Sequence, residues 1–540
     1  MGNFFNKVND NELSDFKIWQ NIDDLSFIYP EKSLEKNTNV NIGLALPGGG
    51  LRTCTNTIGV LLALHKLDLL KKINYISCNS GSSWAIGPLV YSNVDLDKFL
   101  GEYIKPENLT INTLNKINED NFASLLPDIN FDEILMKNFI NNKNNIEDFW
   151  SKTIAELFLK KYNLDSFNIL PNNRELVKDS PCVNKSEKSK YEYRSIRKDI
   201  PFPIINSCIY FDNIKTLSQL EFTPLYYGVP HRVKINDNLS IGATLMEPEL
   251  FTAVNNIDEA NKLSKIININ KSSVKFNNPK NIISIAKQIG SSSAAIPVGV
   301  DHYLPNNLIK KLDLPLINFY DPNNYFNSNA KITDGMYLDN TGLLSLLRRN
   351  VEKIILSDCL QDIDIEYDNI SNGLNSKYAK YFGRTKSSDP KATIYGYNIN
   401  DYNAFSKVFD SNKYNEFCNN YNRFKDENKE IIFKMDLNVL ENKLSGIRGG
   451  YRVTIIFIFT TKNDNFMNKL PEETRNLINS DNNDNLLSKI NIKNVSLKNF
   501  PNIPTIYLNY SKILVNLKIQ IAADLIMNKS QFIIEILNNE

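Results

Sequence analysis

Between Val40 and Tyr91 the apolar residues change rhythm several times. A short apolar run, Ile42–Leu46, predicts a buried strand. Ile58, Leu61, Leu62, Leu64 and Leu67 then recur at roughly i, i+3, i+4 spacing and predict a helix. A second apolar run, Ile73–Cys78, predicts another strand and breaks at the polar group Asn79-Ser80-Gly81-Ser82. Gly48, Gly49 and Gly50, followed by Arg52, fill the gap between the first strand and the helix. The order is therefore strand, glycine loop, helix, strand, sharp turn, helix. Parallel strands joined through a helix take a right-handed crossover. The glycine loop and the Ser80 turn are thus expected together at the C-terminal edge of one sheet, where open α/β sheets bind ligands.

The rest of the chain continues in the same style. In Ile146–Lys161 the residues Phe149, Ile154, Leu157 and Phe158 share one helical face. Pro201–Ser207 is strand-like; Leu220–Gly228 (LEFTPLYYG) follows, and a long polar connection is expected from there to Ser273. Ile282–Pro297 predicts a helix ending in small residues, and Lys331–Asn350 a turn running into a helix. Lys353–Asp358 and Tyr451–Thr461 predict buried strands, and Ser511–Met527 an amphipathic helix. With no internal repeat and no clean linker, the expected fold is α/β, a central, mostly parallel sheet flanked by helices. It spans residues 40–540 as one elaborated domain, after a polar lead-in at 1–39, with cap or lid insertions within roughly 100–280.

Composition narrows the function classes. A net charge of +1, with 23% charged residues, gives no long-range field towards nucleic acid, so an anionic partner must be met by a local patch. Such a patch is available between Ser180 and Asp199, where Lys185, Lys188, Lys190, Arg194, Arg197 and Lys198 outnumber Glu187, Glu192 and Asp199. Its composition is that of a mobile loop, either a solvated insertion or a flap that meets anionic surfaces. The six cysteines lack CxxC spacing, which argues against a disulfide framework or a zinc site and fits a reducing compartment. The N-terminus lacks the apolar core of a signal peptide, and no stretch is long and apolar enough for a transmembrane helix.

The chemistry concentrates at Ser80. A serine on a strand-to-helix elbow projects its hydroxyl beyond the sheet, provided its neighbours are small. Cys78, Gly81 and Ser82 are small, although Cys78 stands where such elbows usually carry glycine. The N–H groups of Gly48, Gly49 and Gly50 can converge on one point because no Cβ blocks them. Acyl transfer needs that arrangement for the oxyanion, at about 3–4 kcal/mol per donor. Arg52 adds a fork suited to phosphate. Of the histidines, His65 lies inside the first helix, and His231 and His302 lie in polar connections. None follows Asp334, which excludes a Ser–Asp–His order with that acid. A carboxylate can then serve as the direct base if the leaving group is an alcohol. Asp334, in Thr333-Asp334-Gly335, is the first candidate; Asp339 is the second, with helix capping as its competing role.

Gly48-Gly49-Gly50-Leu51-Arg52, Ser80-Gly81-Ser82 and Asp334-Gly335, in this order, resemble the patatin-like phospholipases. Within that superfamily the chain is most similar to the catalytic domain of the group IV cytosolic phospholipases A2. Trp84 after the elbow, Glu221-Phe222-Thr223-Pro224, Gly290-Ser291-Ser292-Ser293 and Phe500-Pro501 extend the resemblance. It implies a Ser/Asp dyad hydrolase that releases fatty acid from glycerophospholipids, with no cofactor and no catalytic metal. Ser80 would be the nucleophile and Asp334 the base. Gly49 and Gly50, with Gly48, would form the oxyanion hole, and Arg52 would hold the lipid phosphate. The short lead-in leaves no room for a calcium-binding C2 domain, so a cytoplasmic protein is expected that docks peripherally on a phospholipid membrane, through the basic loop and exposed aromatics near the cleft. The oligomeric state stays open. Two other readings remain: a catalytically impaired lipid- or phosphate-binding protein, motivated by Cys78, and a nucleotide-binding module. The second lacks both the Gly-Lys-Ser/Thr ending of a P-loop and the third glycine of a dinucleotide fingerprint, where Thr53 stands.

Overall fold

The computed structural model describes residues 13–24, 26–34, 41–141, 148–172, 191–211, 213–267, 273–277, 282–295, 314–360, 377–384, 399–479, 497–505 and 507–538. Their strands are β1 (Leu13–Gln20), β2 (Ile42–Leu46), β3 (Tyr75–Asn79), β4 (Ile169–Asn172), β5 (Glu192–Ser195), β6 (Phe202–Phe211), β7 (Thr216–Phe222) and β8 (Tyr227–Lys234). They continue with β9 (Ser240–Met246), β10 (Ser273–Asn277), β11 (Leu316–Asp321), β12 (Tyr325–Asp334), β13 (Lys353–Asp358), β14 (Ile431–Val439) and β15 (Tyr451–Phe459). All but the small β4–β5 pair belong to one sheet, in the order β10-β1-β9-β8-β7-β6-β3-β2-β13-β15-β14, with β12 also on β6 and β11 on β12.

Its centre, β6-β3-β2-β13-β15, is parallel. These strands are continuous apolar runs because helices cover both faces. Ile42, Leu44 and Leu46 of β2 enter one core together with the helices α1 (Gly50–Lys66), α2 (Gly81–Tyr91), α3 (Ile285–Ser292) and α4 (Lys512–Asn528). Ala45 faces the other core, beside the short helix Leu343–Arg348. The expected α/β sheet is therefore present, and antiparallel strands extend its parallel centre at both ends.

Two elements depart from their expected form. The polar connection expected before Ser273 contains β8, β9 and the helix Ile257–Ile267, and β1 from the N-terminal segment pairs between β9 and β10. Many of its polar residues lie in the turn Ile235–Leu239 and at outward positions, while Val229, Val233, Ile241, Ala243 and Leu245 are buried, as are the polar His231 and Thr244. Helix α4 was expected to be amphipathic, and nearly all of it is buried. Its polar residues have partners inside: Gln520 Oε1 accepts from the Ile104 N–H at 2.9 Å, and Asp524 Oδ1 from the Tyr103 hydroxyl at 2.6 Å. Close packing of α4 on α1 also needs Gly59, whose missing Cβ would lie 2.3 Å from the Ile519 carbonyl.

The strand β6 sets up the site. Its first half pairs with β3 (Asn79↔Asn206) and its second half with β12 (Asp334↔Ser207). The C-terminal ends of β3 and β12 therefore meet at consecutive positions of one strand. Asp334 was expected in a turn; it is the last residue of β12, delivered there by the β11–β12 hairpin.

A buried ionic network ties the N-terminal segment to the sheet. Arg349 bonds Glu31 at 2.7 Å and Glu221 at 2.8 Å, and Arg348 bonds Glu221 at 2.8 Å and Gln219 at 2.6 Å. Burial alone would raise the Glu221 carboxyl, but Arg349 and Arg348 outweigh it and hold it below the usual carboxylate range. A depressed folded-state pKa gives stability that is present above the unfolded value and is lost as pH falls through the folded one. Arg349→Met takes the buried cation from Glu31 and one of two from Glu221, and is expected to cost about 3–5 kcal/mol in urea unfolding. The loss of stability on acidification below about pH 4 should also be shallower in that variant than in the wild type.

Candidate active site

Ser80 sits between β3 and α2 with φ 47° and ψ −125°. A left-handed φ at a non-glycine residue is strained, and it holds here because the surroundings fix it. The Ser80 N–H donates to Ser292 Oγ at 3.0 Å, and Ser292 Oγ donates to the Asn206 carbonyl at 2.6 Å. Ser83 Oγ donates to the Ser80 carbonyl at 2.6 Å. Glycine is required on both sides. A Cβ at Gly81 would lie 2.1 Å from the Gly50 carbonyl oxygen, and one at Gly48 would lie 2.8 Å from Ser80 Cβ. Cys78 is fully buried in the main core, where burial pushes its thiol up, so its side chain takes core volume and leaves the elbow open.

Ser80 Oγ donates to Asp334 Oδ2 at 2.8 Å. The other carboxylate oxygen, Oδ1, accepts from the Met336 N–H at 2.8 Å. Asp339 is committed to structure. It accepts from the N–H groups of Thr341, Gly342 and Leu344 at 2.8–3.1 Å, from Thr341 Oγ1 at 2.9 Å and from the Tyr381 hydroxyl at 2.6 Å. His231 accepts from the Gln219 N–H at 3.1 Å and packs edge-on against Phe405. Burial lowers it to about 3, so it is neutral at ordinary pH. His65 lies 3.3 Å from Asp97, and His302 is outside the described residues.

The glycine loop faces this pair. Gly49 and Gly50 have φ of 152° and 61°, and α1 begins at Gly50. The Gly48 N–H is taken by the Asn340 carbonyl at 3.0 Å and by Asn340 Oδ1 at 3.1 Å. Neither the Gly49 nor the Gly50 N–H donates to a protein acceptor among the described residues. Two residues into the helix, Arg52 is buried (3% exposed). Its Nη2 donates to Thr505 Oγ1 at 2.9 Å, while Nε and Nη1 have no partner among the described residues. A buried guanidinium with unpaired donors is costly unless an anion completes it.

Ser80, Asp334, Arg52 and the three glycines thus converge at one sheet edge. Asn340, Ser292, Thr505 and the buried pair Lys377–Asp358 also contribute, and of these only Ser292 had a sequence signal, the Gly290–Ser293 run. Ser293 of that run accepts from the indole N–H groups of Trp84 at 3.0 Å and Trp150 at 3.3 Å. In the basic segment, Arg194 pairs with Glu192 at 2.6 Å and Arg197 with Asp199 at 2.8 Å. Lys185, Lys188 and Lys190 lie outside the described residues. Among the described residues, no cluster of His, Cys, Asp or Glu is arranged to hold a metal, and no helix is long and apolar enough to cross a membrane.

Comparison with known proteins adds a partial likeness. No family model matches the chain. A stretch of 94 residues is 33% identical to cytosolic phospholipase A2 delta of Homo sapiens, covering 15% of this chain and 12% of that protein. Two solved structures of the human GIVD cytosolic phospholipase A2, one of them in complex with methyl gamma-linolenyl fluorophosphonate, have TM-scores of 0.46 and 0.45 at 10% and 13% identity. These similarities cover 94% of this chain and 64% and 61% of the solved chains, so each spans less than two thirds of the protein it matches.

The crowding at the elbow is directly testable. Gly81→Ala must push the Gly50 backbone aside, and it is expected to lower stability by about 2 kcal/mol or more in denaturant unfolding.

Proposed function

We propose that the chain is a serine acyl hydrolase that releases fatty acid from glycerophospholipids. The observation that carries this reading is the 2.8 Å hydrogen bond from Ser80 Oγ to Asp334, formed beside two glycine N–H groups that no acceptor among the described residues uses. Asp334 takes the Ser80 proton as Oγ attacks the ester carbonyl. The oxyanion is received by the N–H groups of Gly49 and Gly50, since the Gly48 N–H is committed to Asn340. The start of α1 adds its positive end to the same point. The protonated Asp334 then returns its proton to the leaving glycerol oxygen, and an acyl-Ser80 ester remains. Water, deprotonated by Asp334, attacks that ester, and Ser80 recovers the proton as the fatty acid departs. An alcohol leaving group makes a carboxylate base sufficient. Arg52 Nε and Nη1, unpaired among the described residues, suit a phosphate, which selects phospholipid over neutral ester.

Access to a lipid surface, with the protein resting peripherally on it from the cytoplasmic side, is part of the same proposal. Tyr507 is 44% exposed, in the segment whose Thr505 bonds Arg52 and whose Leu508 lies near Gly50. We assign its exposed, amphipathic ring to lipid contact beside the site.

Mass spectrometry of products from mixed phospholipid vesicles tests the reading. Wild type should release fatty acid and Ser80→Ala none; release by Ser80→Ala at the wild-type rate would overturn the dyad. Asp334→Asn should lower kcat by about 10²–10⁴-fold. Asp339→Asn should instead cost about 1–3 kcal/mol of stability while the folded fraction keeps its turnover. Tyr507→Ala should reduce turnover on vesicles and leave a soluble ester unaffected.

A further inference from the structure

The glycine loop is held plane by plane. In the first peptide unit, the Pro47 carbonyl accepts from Ser82 Oγ at 2.6 Å and the Gly48 N–H donates to Asn340. In the next unit, the Gly48 carbonyl accepts from Lys377 Nζ at 3.3 Å, and the N–H at the other end belongs to Gly49. A trans peptide points its C=O and N–H in opposite directions, so whatever fixes the Gly48 carbonyl also aims the Gly49 N–H. This aim needs fixing, because Gly49, at φ 152°, stands where glycine alone moves freely between orientations.

Lys377 is itself held. Its ammonium lies 2.8 Å from Asp358 Oδ2 and 3.0 Å from Oδ1, and Oδ2 also accepts from the Tyr378 hydroxyl at 2.7 Å. Asp358 is fully buried at the C-terminal end of β13. That strand runs parallel to β2 with Leu356 opposite Ala45, so Asp358 lies level with the point where β2 becomes the glycine loop. The buried charges neutralise one another, and one of the ammonium protons is directed at the loop.

We infer that Lys377, oriented by Asp358, is a positioning residue for the oxyanion hole: it pins the Gly48 carbonyl so that the Gly49 N–H faces the carbonyl oxygen of the ester bound at Ser80. The inference rests on the hydrolase reading. Lys377 acts through the peptide plane and does not enter the proton transfers between Ser80 and Asp334.

The test compares a soluble aryl ester with its thionoester, whose sulfur accepts hydrogen bonds poorly and so draws little help from an oxyanion hole. The ratio of the two kcat values reports the hole itself, and it is unaffected by any unfolded fraction in a preparation. In Lys377→Met the ester kcat should fall by about 10²-fold, with KM nearly unchanged and the thionoester kcat much less affected. The ratio should therefore drop by about tenfold or more. Asp358→Asn should move the ratio in the same direction, and Lys377→Arg, which retains a charge opposite Asp358, should recover part of it. These two variants give the reading if Lys377→Met fails to fold. An active wild type whose ester-to-thionoester ratio is unchanged in the variants overturns the positioning role alone. A wild type inactive on both esters overturns the hydrolase reading and the positioning role with it.

Discussion

The site depends on one strand that serves two partners along the same edge. β6 gives its first half to β3 and its second half to β12, and consecutive residues, Asn206 and Ser207, receive Asn79 and Asp334. Because strand register is fixed by backbone bonding and burial, the separation of Ser80 from Asp334 is set before either side chain chooses a rotamer. Residues 254 positions apart in the chain are thereby brought to 2.8 Å. A register slip of one residue in β12 would turn Asp334 to the other face of the sheet.

Polar groups are buried around that junction. Both polar atoms of the Asn79 side chain and two nitrogens of Arg52 are buried without partners among the described residues, each costing about 1–3 kcal/mol. Ser80 holds a strained backbone, and the glycine loop packs so close to it that a Cβ at Gly48 would lie 2.8 Å from Ser80 Cβ. Compensation comes from the serine-rich end of α3: Ser292 holds the Ser80 N–H, and Ser293 receives two tryptophans. The elbow is thus polar and held by these side-chain hydrogen bonds.

Much of this was legible in the sequence, for physical reasons. Ile42–Leu46 is the strand its apolar run predicted, and Lys353–Asp358 likewise, because strands covered on both faces leave little ambiguity. Ser80, Asp334 and Arg52 stand out in the sequence at a serine turn, an Asp-Gly pair and a glycine loop, and the structure brings Ser80 and Asp334 into hydrogen-bond contact. What stayed hidden is non-local. Nothing in the spacing of β8 and β9 distinguished short strands with a polar turn from a polar connection, and only their pairing decides it. Helix α4 looked amphipathic because its Gln520 and Asp524 have partners from residues 102–104, far away in the chain. Asn340, Lys377 and Asp358 carry no motif. Their importance lies in which carbonyl or N–H they reach, and sequence spacing does not encode that.

The central claim is that Ser80 is the residue that takes the acyl group. The most direct measurement is peptide mapping of the protein after reaction with a lipid-like fluorophosphonate, with stoichiometry from intact mass. One phosphonyl adduct per chain, located on Ser80 and absent in Asp334→Asn over the same time, is the expected result. Labelling that falls on Ser82, Ser292 or another residue, or no labelling of a protein that nevertheless releases fatty acid, would contradict it.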